Sequence, residues 1–97
     1  MNENAIQRAV FDHIRSRGVA GLVAFHPKNG GIHQRGRRRG INAGLGVLSG
    51  ASDVILLHAG RFYALELKRA DQKVKPESEQ DQFLRAVEAS GGAGAWA

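Results

Sequence analysis

The segment DVILLHAGRFYALELK, residues 53–68, decides the fold because it predicts a β-hairpin. Two runs rich in β-branched, aromatic and other apolar residues, 53–57 and 62–68, flank the turn candidates HAGR at 58–61. If Ala59 and Gly60 form the turn, Arg61 pairs with His58. Pairing that continues along both strands then sets Glu66 opposite Asp53. The sequence therefore predicts two carboxylates at the open end of one hairpin.

These paired carboxylates predict a cation site. Directly opposed side chains lie on one face with Cβ atoms ~4.5–5.5 Å apart, and two like charges so placed destabilise a sheet. A hard divalent cation would relieve that repulsion. We predict Mg²⁺ or Mn²⁺ held by Asp53 and Glu66, with the carbonyl oxygen of Leu67 as a further ligand. Lys68 lies on the same face as Glu66 and is the candidate catalytic lysine. The alternative is a surface ion pair between Glu66 and Lys68.

The elements on either side of the hairpin are helices, short strands and one long loop. Apolar residues at helical spacing predict a first helix over 2–17, with a stripe of Ala5, Ile6, Ala9, Val10, His13 and Ile14. A short strand is predicted over 22–26, a glycine-rich loop over 28–48, a second helix over 77–90 and a last strand over 93–97. In the second helix, Gln80, Phe83, Leu84 and Val87 share a face.

This order of elements predicts an α/β fold, a mixed sheet of about four strands with a helix on either side, in one domain over residues 1–97. So short a chain has a thin core. It contains no cysteine, which leaves a metal ion or a partner subunit as the expected support. No apolar run is long enough for a membrane span, so we expect a cytoplasmic protein.

The positive charge is concentrated in one stretch. The net charge is +5, and no acidic residue occurs from His13 to Ser52. The glycine-rich loop carries the main candidates for contact with a DNA backbone, Arg35, Arg37, Arg38 and Arg39. Lys73, which follows the second strand of the hairpin, is a further candidate. A solvated loop without a ligand is the alternative.

The motifs GASDVILL at 50–57, ALELK at 64–68 and EQDQFL at 79–84 together resemble the PD-(D/E)XK nuclease superfamily. More narrowly, they resemble its virus-type replication-repair nuclease family, VRR-NUC. That pattern has a Gly-x-x-Asp strand, a Glu-Leu-Lys strand, then a polar stretch and a helix containing glutamine. Glu3 near the start of the first helix also fits it.

The resemblance implies a restriction-endonuclease-like fold and a metal-dependent endonuclease that hydrolyses DNA. It implies metal ligation by Asp53 and Glu66, catalysis by Lys68, an approach of Glu3 to the metal and support of the site by Gln80. It also implies a homodimer acting on branched DNA such as a Holliday junction or a flap, in DNA repair or in a phage-infected cell.

Two other function classes remain open from the sequence. The first is a non-catalytic nucleic-acid-binding module with the same fold. The second is a basic RNA- or ribosome-associated protein, for which the acidic pair would be coincidental.

Overall fold

The computed structural model describes residues 2–27, 46 and 48–97, which form an α/β fold. Four strands form one sheet in the order β1-β2-β3-β4, with β1 and β2 antiparallel, β2 and β3 antiparallel, and β3 and β4 parallel. The elements in chain order are α1 Glu3–Arg17, β1 Val23–Phe25, β2 Val54–His58, β3 Arg61–Glu66, α2 Glu79–Ala89 and β4 Ala93–Trp96. The predicted fold class, a mixed four-stranded sheet with two helices, is confirmed.

The hairpin has the predicted turn and register. Ala59 and Gly60 both have positive φ, 50° and 77°, as the tight turns of two-residue hairpins require. His58 pairs with Arg61, and the ladder continues to Val54 opposite Leu65. Regular pairing stops there, so β2 begins after Asp53 and β3 ends at Glu66, earlier than the predicted Lys68. The carboxylates therefore lie where the two strands end.

Helix α1 is capped at both ends but presents a different face to the sheet from the one that the sequence predicted. The Asn2 side chain accepts a hydrogen bond from the Ala5 N–H at 2.8 Å, and Gly18 ends the helix in the left-handed conformation. The half-buried residues are Ile6, Gln7, Val10, Phe11 and Ile14, whereas Ala5, Ala9 and His13 of the predicted stripe are exposed. The inward face is rotated toward Phe11, whose ring offers more apolar surface than an alanine. None of the residues of α1 is fully buried.

Helix α2 packs on the face of the sheet that carries Ile55 and Ala64. It begins at Glu79, two residues later than predicted, because Glu77 has a φ of 64° and Ser78 is the N-cap. The Ser78 hydroxyl accepts a hydrogen bond from the Asp81 N–H. Leu84 and Val87 pack on Ile55 and Ala64 of the sheet, as the predicted apolar face requires.

Strand β4 lies close to α2 and to β3 because Gly94 within the strand and Gly92 just before it have no side chain. A Cβ atom at Gly94 would lie 2.9 Å from the carbonyl oxygen of Leu84, and one at Gly92 would lie 2.7 Å from that of Phe62. After β4, the Ala97 N–H donates to the Glu66 carbonyl oxygen at 2.9 Å, and the Lys68 N–H donates to the Ala97 carbonyl oxygen at 2.7 Å. These bonds fix the backbone on both sides of Leu67.

The two helices lie on opposite faces of the sheet. Ile55 packs against α2. Ala24 pairs with Leu56, the next residue of β2, so its side chain lies on the other face. There Ala24 lines a groove together with Phe11 and Ile14 of α1. In the described part of the chain, no helix has the length and apolar character needed to cross a membrane.

Candidate active site

The acidic pair lies at the open end of the hairpin, where the sequence predicted it. Asp53 directly precedes β2, and Glu66 is the last residue of β3. The Asp53 Oδ2 atom accepts a hydrogen bond from the Leu67 N–H at 2.9 Å, which ties the acid to the neighbouring strand. Asp53 and Glu66 line one cleft of about 250 Å³. The two carboxylates are therefore neighbours on one side of the sheet.

Glu66 is the more buried acid of the pair. Its relative exposure is 6%, and its Oε2 atom has no hydrogen-bond partner within the described residues. Burial raises the pKa of Glu66 from 4.5 to about 8, and the negative charge of Asp53 and a hydrogen bond to Asp53 act in the same direction. Lys68 opposes this rise and Glu3 adds to it, both more weakly. Glu66 is thus a buried carboxyl group whose negative charge Lys68 compensates only in part.

The cleft contains five of the residues that the sequence singled out, Glu3, Asp53, Glu66, Lys68 and Gln80. They come from different elements, because α1 supplies Glu3, the hairpin supplies the acidic pair and Lys68, and α2 supplies Gln80. The side chain of Leu67 is buried at 3% exposure, so this residue contributes to the site through its backbone N–H, which donates to Asp53. Its predicted role as a carbonyl ligand stays a prediction.

Glu3 is connected to the segment that follows β3. In the amide orientation that satisfies both neighbours, Gln72 donates to the Glu3 Oε2 atom at 3.1 Å and accepts from Arg69 at 2.6 Å. Within the described residues, no group of three or more histidine and carboxylate side chains is arranged to hold a metal ion. The candidate centre there is therefore the pair Asp53 and Glu66, with Glu3 in the wall of the same cleft.

A second cavity, of about 460 Å³, adjoins the first and is lined with lysines. The two cavities share Lys68 and Gln80, and the second adds Lys73 and Lys75. Asp71, also in its wall, lies 3.7 Å from Arg69 in an ion pair. The predicted DNA contact Lys73 therefore lies beside the acidic cleft. The arginines at 35, 37, 38 and 39 lie outside the described residues.

His26 lies at the site but is not among the site residues predicted from the sequence. It lines the cleft, and its Nδ1 atom lies 2.8 Å from the carbonyl oxygen of Asp53. A signal was present in the strand order. His26 follows β1, and in an antiparallel pair the end of one strand meets the start of the next, where Asp53 lies.

The raised pKa of Glu66 predicts a pH dependence of stability. In the unfolded chain the group titrates near 4.5 and in the folded chain near 8, so the folded state holds the extra proton between these values. The free energy of unfolding of the metal-free protein should fall as pH rises from 4.5 to 8, by on the order of a few kcal/mol, and then level off. Urea denaturation in chelator at several pH values measures this.

The matched control for this measurement is Glu66→Gln. The variant has no titrating group at position 66, so the difference between its stability and that of the wild type isolates the contribution of Glu66. Equal pH profiles for the two proteins would contradict the prediction.

The chain was compared with protein-family models, with curated proteins and with solved structures, and none of them matches it. The resemblance to the VRR-NUC family and to restriction endonucleases therefore rests on the sequence pattern and stays a prediction.

Proposed function

We propose that this protein is a divalent-metal-dependent endonuclease that hydrolyses DNA phosphodiester bonds in the cleft around Asp53 and Glu66. One observation carries the proposal. Two carboxylates meet in a partly buried cleft, and the more buried one, Glu66, has an oxygen with no hydrogen-bond partner among the described residues and a pKa raised to about 8. Burying two acids together is unfavourable unless a cation or a proton compensates.

The donor set fits Mg²⁺ or Mn²⁺. Both ions favour carboxylate and carbonyl oxygens. Asp53 and Glu66 offer such oxygens. The segment that carries the Leu67 carbonyl is fixed by the backbone bonds of Ala97 and by the Asp53 carboxylate, which accepts from the Leu67 N–H. When bound, the ion would polarise the phosphoryl group and lower the pKa of a water molecule toward neutrality.

The other residues of the cleft supply charge and position. In hydrolysis, the water oxygen forms a bond to phosphorus and the bond from phosphorus to one sugar oxygen breaks. The water loses a proton and the leaving oxygen gains one. Lys68, half-buried beside Glu66, would stabilise the negative charge that grows on the phosphoryl oxygens. Gln80, shared by both cavities, would contact the substrate or hold Lys68 in place.

The second cavity supports a nucleic acid as the substrate. Lys68, Lys73 and Lys75 line it and would bind the phosphates that flank the cleaved one. We assign the same role to the four arginines at 35, 37, 38 and 39, on the basis of sequence alone. Phosphate contacts of this kind make binding sensitive to salt and independent of base sequence.

We extend the proposal to a homodimer that acts on branched DNA. The support is an exposed apolar area on strands β1 and β2. It lies on the same face of the sheet as α2. Val23, Phe25 and Leu57 share that area and are 57%, 45% and 39% exposed. A second subunit would remove such surface from water.

A cleavage panel tests the proposed function. Four-way junction, flap and linear duplex DNA are incubated with Mg²⁺, Mn²⁺ or chelator, and with wild-type or Lys68→Ala protein. We expect cleavage only with metal, and a loss of about 10²–10³-fold in Lys68→Ala, since the lysine stabilises transition-state charge.

Intact DNA in every reaction of the wild type would overturn the proposal. If salt-sensitive binding persists in that case and Asp53→Ala leaves it unchanged, the chain is a non-catalytic binding module. If DNA is not bound and Mn²⁺ does not raise the melting temperature, the acidic pair has no cation and a nuclease is excluded.

A further inference from the structure

We propose that His26 is a further residue of this site, with a separate task for each ring nitrogen. Nδ1 holds the backbone of Asp53 in place, and Nε2 accepts a hydrogen bond from the water that attacks the phosphorus. The second task rests on the proposed hydrolysis of DNA, whereas the first requires only that the acidic pair binds a metal ion.

The chemistry of the Asp53 contact fixes the proton on the ring. A carbonyl oxygen only accepts hydrogen bonds, so the 2.8 Å contact requires that Nδ1 carries the hydrogen and donates it. In the neutral ring, Nε2 then carries the lone pair. Within the described residues the ring makes this one hydrogen bond, and His26 lines the cleft with Asp53, Glu66 and Lys68. Nε2 is therefore the remaining acceptor of the ring, and we assign it to a molecule in the cleft.

The fold gives the Nδ1 bond a positioning effect. Asp53 lies just outside the regular ladder, where β2 has not yet begun. Its carboxylate is held by the Leu67 N–H, just after β3, and its backbone is held by His26, just after β1. With both bonds in place, the acid is fixed from its two neighbouring strands before any ligand arrives.

The two tasks can be separated by substitution. In His26→Asn, the amide nitrogen of asparagine can occupy the position of Nδ1 and donate to Asp53, but nothing replaces Nε2. His26→Ala removes both groups. His26→Gln keeps a polar side chain of similar length but carries its amide at the position of Nε2, and it serves as a second test of the Nδ1 bond if the alanine variant does not fold.

The experiment measures Mn²⁺ affinity by calorimetry, melting temperature, and kcat and KM on the DNA that the wild type cleaves best. His26→Ala, or His26→Gln in its place, should weaken Mn²⁺ binding by about 10–100-fold, the usual effect of losing a group that orients a metal ligand. His26→Asn should bind Mn²⁺ within about twofold of the wild type and melt at the same temperature. Its kcat should nevertheless fall about 10²-fold with KM unchanged, because only the water loses its acceptor.

Each half of the proposal can fail by itself. Unchanged Mn²⁺ affinity in His26→Ala, or in His26→Gln where it takes the place of the alanine variant, overturns the positioning of Asp53 by Nδ1. Wild-type kcat in His26→Asn overturns the role of Nε2. If the wild type cleaves no DNA but His26→Ala still weakens Mn²⁺ binding, the nuclease function fails and the positioning of Asp53 is upheld.

Discussion

Replacing Glu66 with glutamine is expected to lower metal-dependent cleavage by about 10³-fold or more while stabilising the metal-free protein above pH 8. Both effects have one cause. The buried carboxylate beside Asp53 is unfavourable when charged, as its pKa of about 8 indicates, yet that charge is what would attract the cation. The neutral amide of glutamine has nearly the same shape and removes the charge. Cleavage rates and urea denaturation at pH 8.5 measure the two effects together.

The control for this prediction is Glu88→Gln. Glu88 is an exposed residue in the last turn of α2, away from the cleft, so the same chemical change there should alter neither property. If Glu66→Gln cleaves DNA at the wild-type rate, Glu66 is not a metal ligand. If the variant is less stable than the wild type at pH 8.5, the cause assigned to the raised pKa of Glu66 is wrong.

Replacing Gly50 with alanine is expected to destabilise the protein by about 3 kcal/mol or more. Gly50 has a φ of 85°, a left-handed conformation that strains any residue with a Cβ atom. A Cβ atom there would also lie 2.5 Å from the carbonyl carbon and oxygen of Glu79, in the first turn of α2. Since both are backbone atoms, relief requires α2 to move away from the loop before β2. Thermal and urea unfolding measure the loss.

A matched control separates the backbone strain at Gly50 from the clash with Glu79. Gly21 has a φ of 77° and no atom within 4 Å of its Cβ position in the described structure, so Gly21→Ala carries the strain without the clash. We expect it to lose only about 1 kcal/mol. Equal losses of unfolding free energy in the two variants would show that the close approach of Gly50 to Glu79 does not contribute to the destabilisation. Because Gly50 also lines the cleft next to Gln80, its variant should lose Mn²⁺ binding as well.

The sequence was sufficient for the hairpin because its information is local. Alternation, turn residues and pairing are set within residues 53–68, and they determine that Asp53 and Glu66 are neighbours. The caps of α1 are local as well, since Asn2 and Gly18 act on their own helix. In each case the partners are close along the chain.

Features that depend on how distant segments pack were not predictable in this way. The bond from His26 to Asp53 joins residues 27 positions apart, and the contact of Gln72 with Glu3 joins the segment after β3 to the start of α1. The apolar face of α1 was predicted around Ala5 and Ala9, because periodicity alone does not tell which side of a weakly amphipathic helix meets the sheet. That choice depends on the surface that β1 and β2 present.

Helix α1 supplies Glu3, Asn4 and Gln7 to the cleft, yet none of its residues is fully buried. A wall held by half-buried side chains can shift as a rigid unit at a lower free energy than one built into the core. Asp53, Glu66 and Lys68 lie at the open end of the hairpin, whose strands would keep their pairing during such a shift. For the proposed endonuclease, the cleft could then widen or narrow while these three residues keep their alignment, so nucleic-acid backbones of different width could enter.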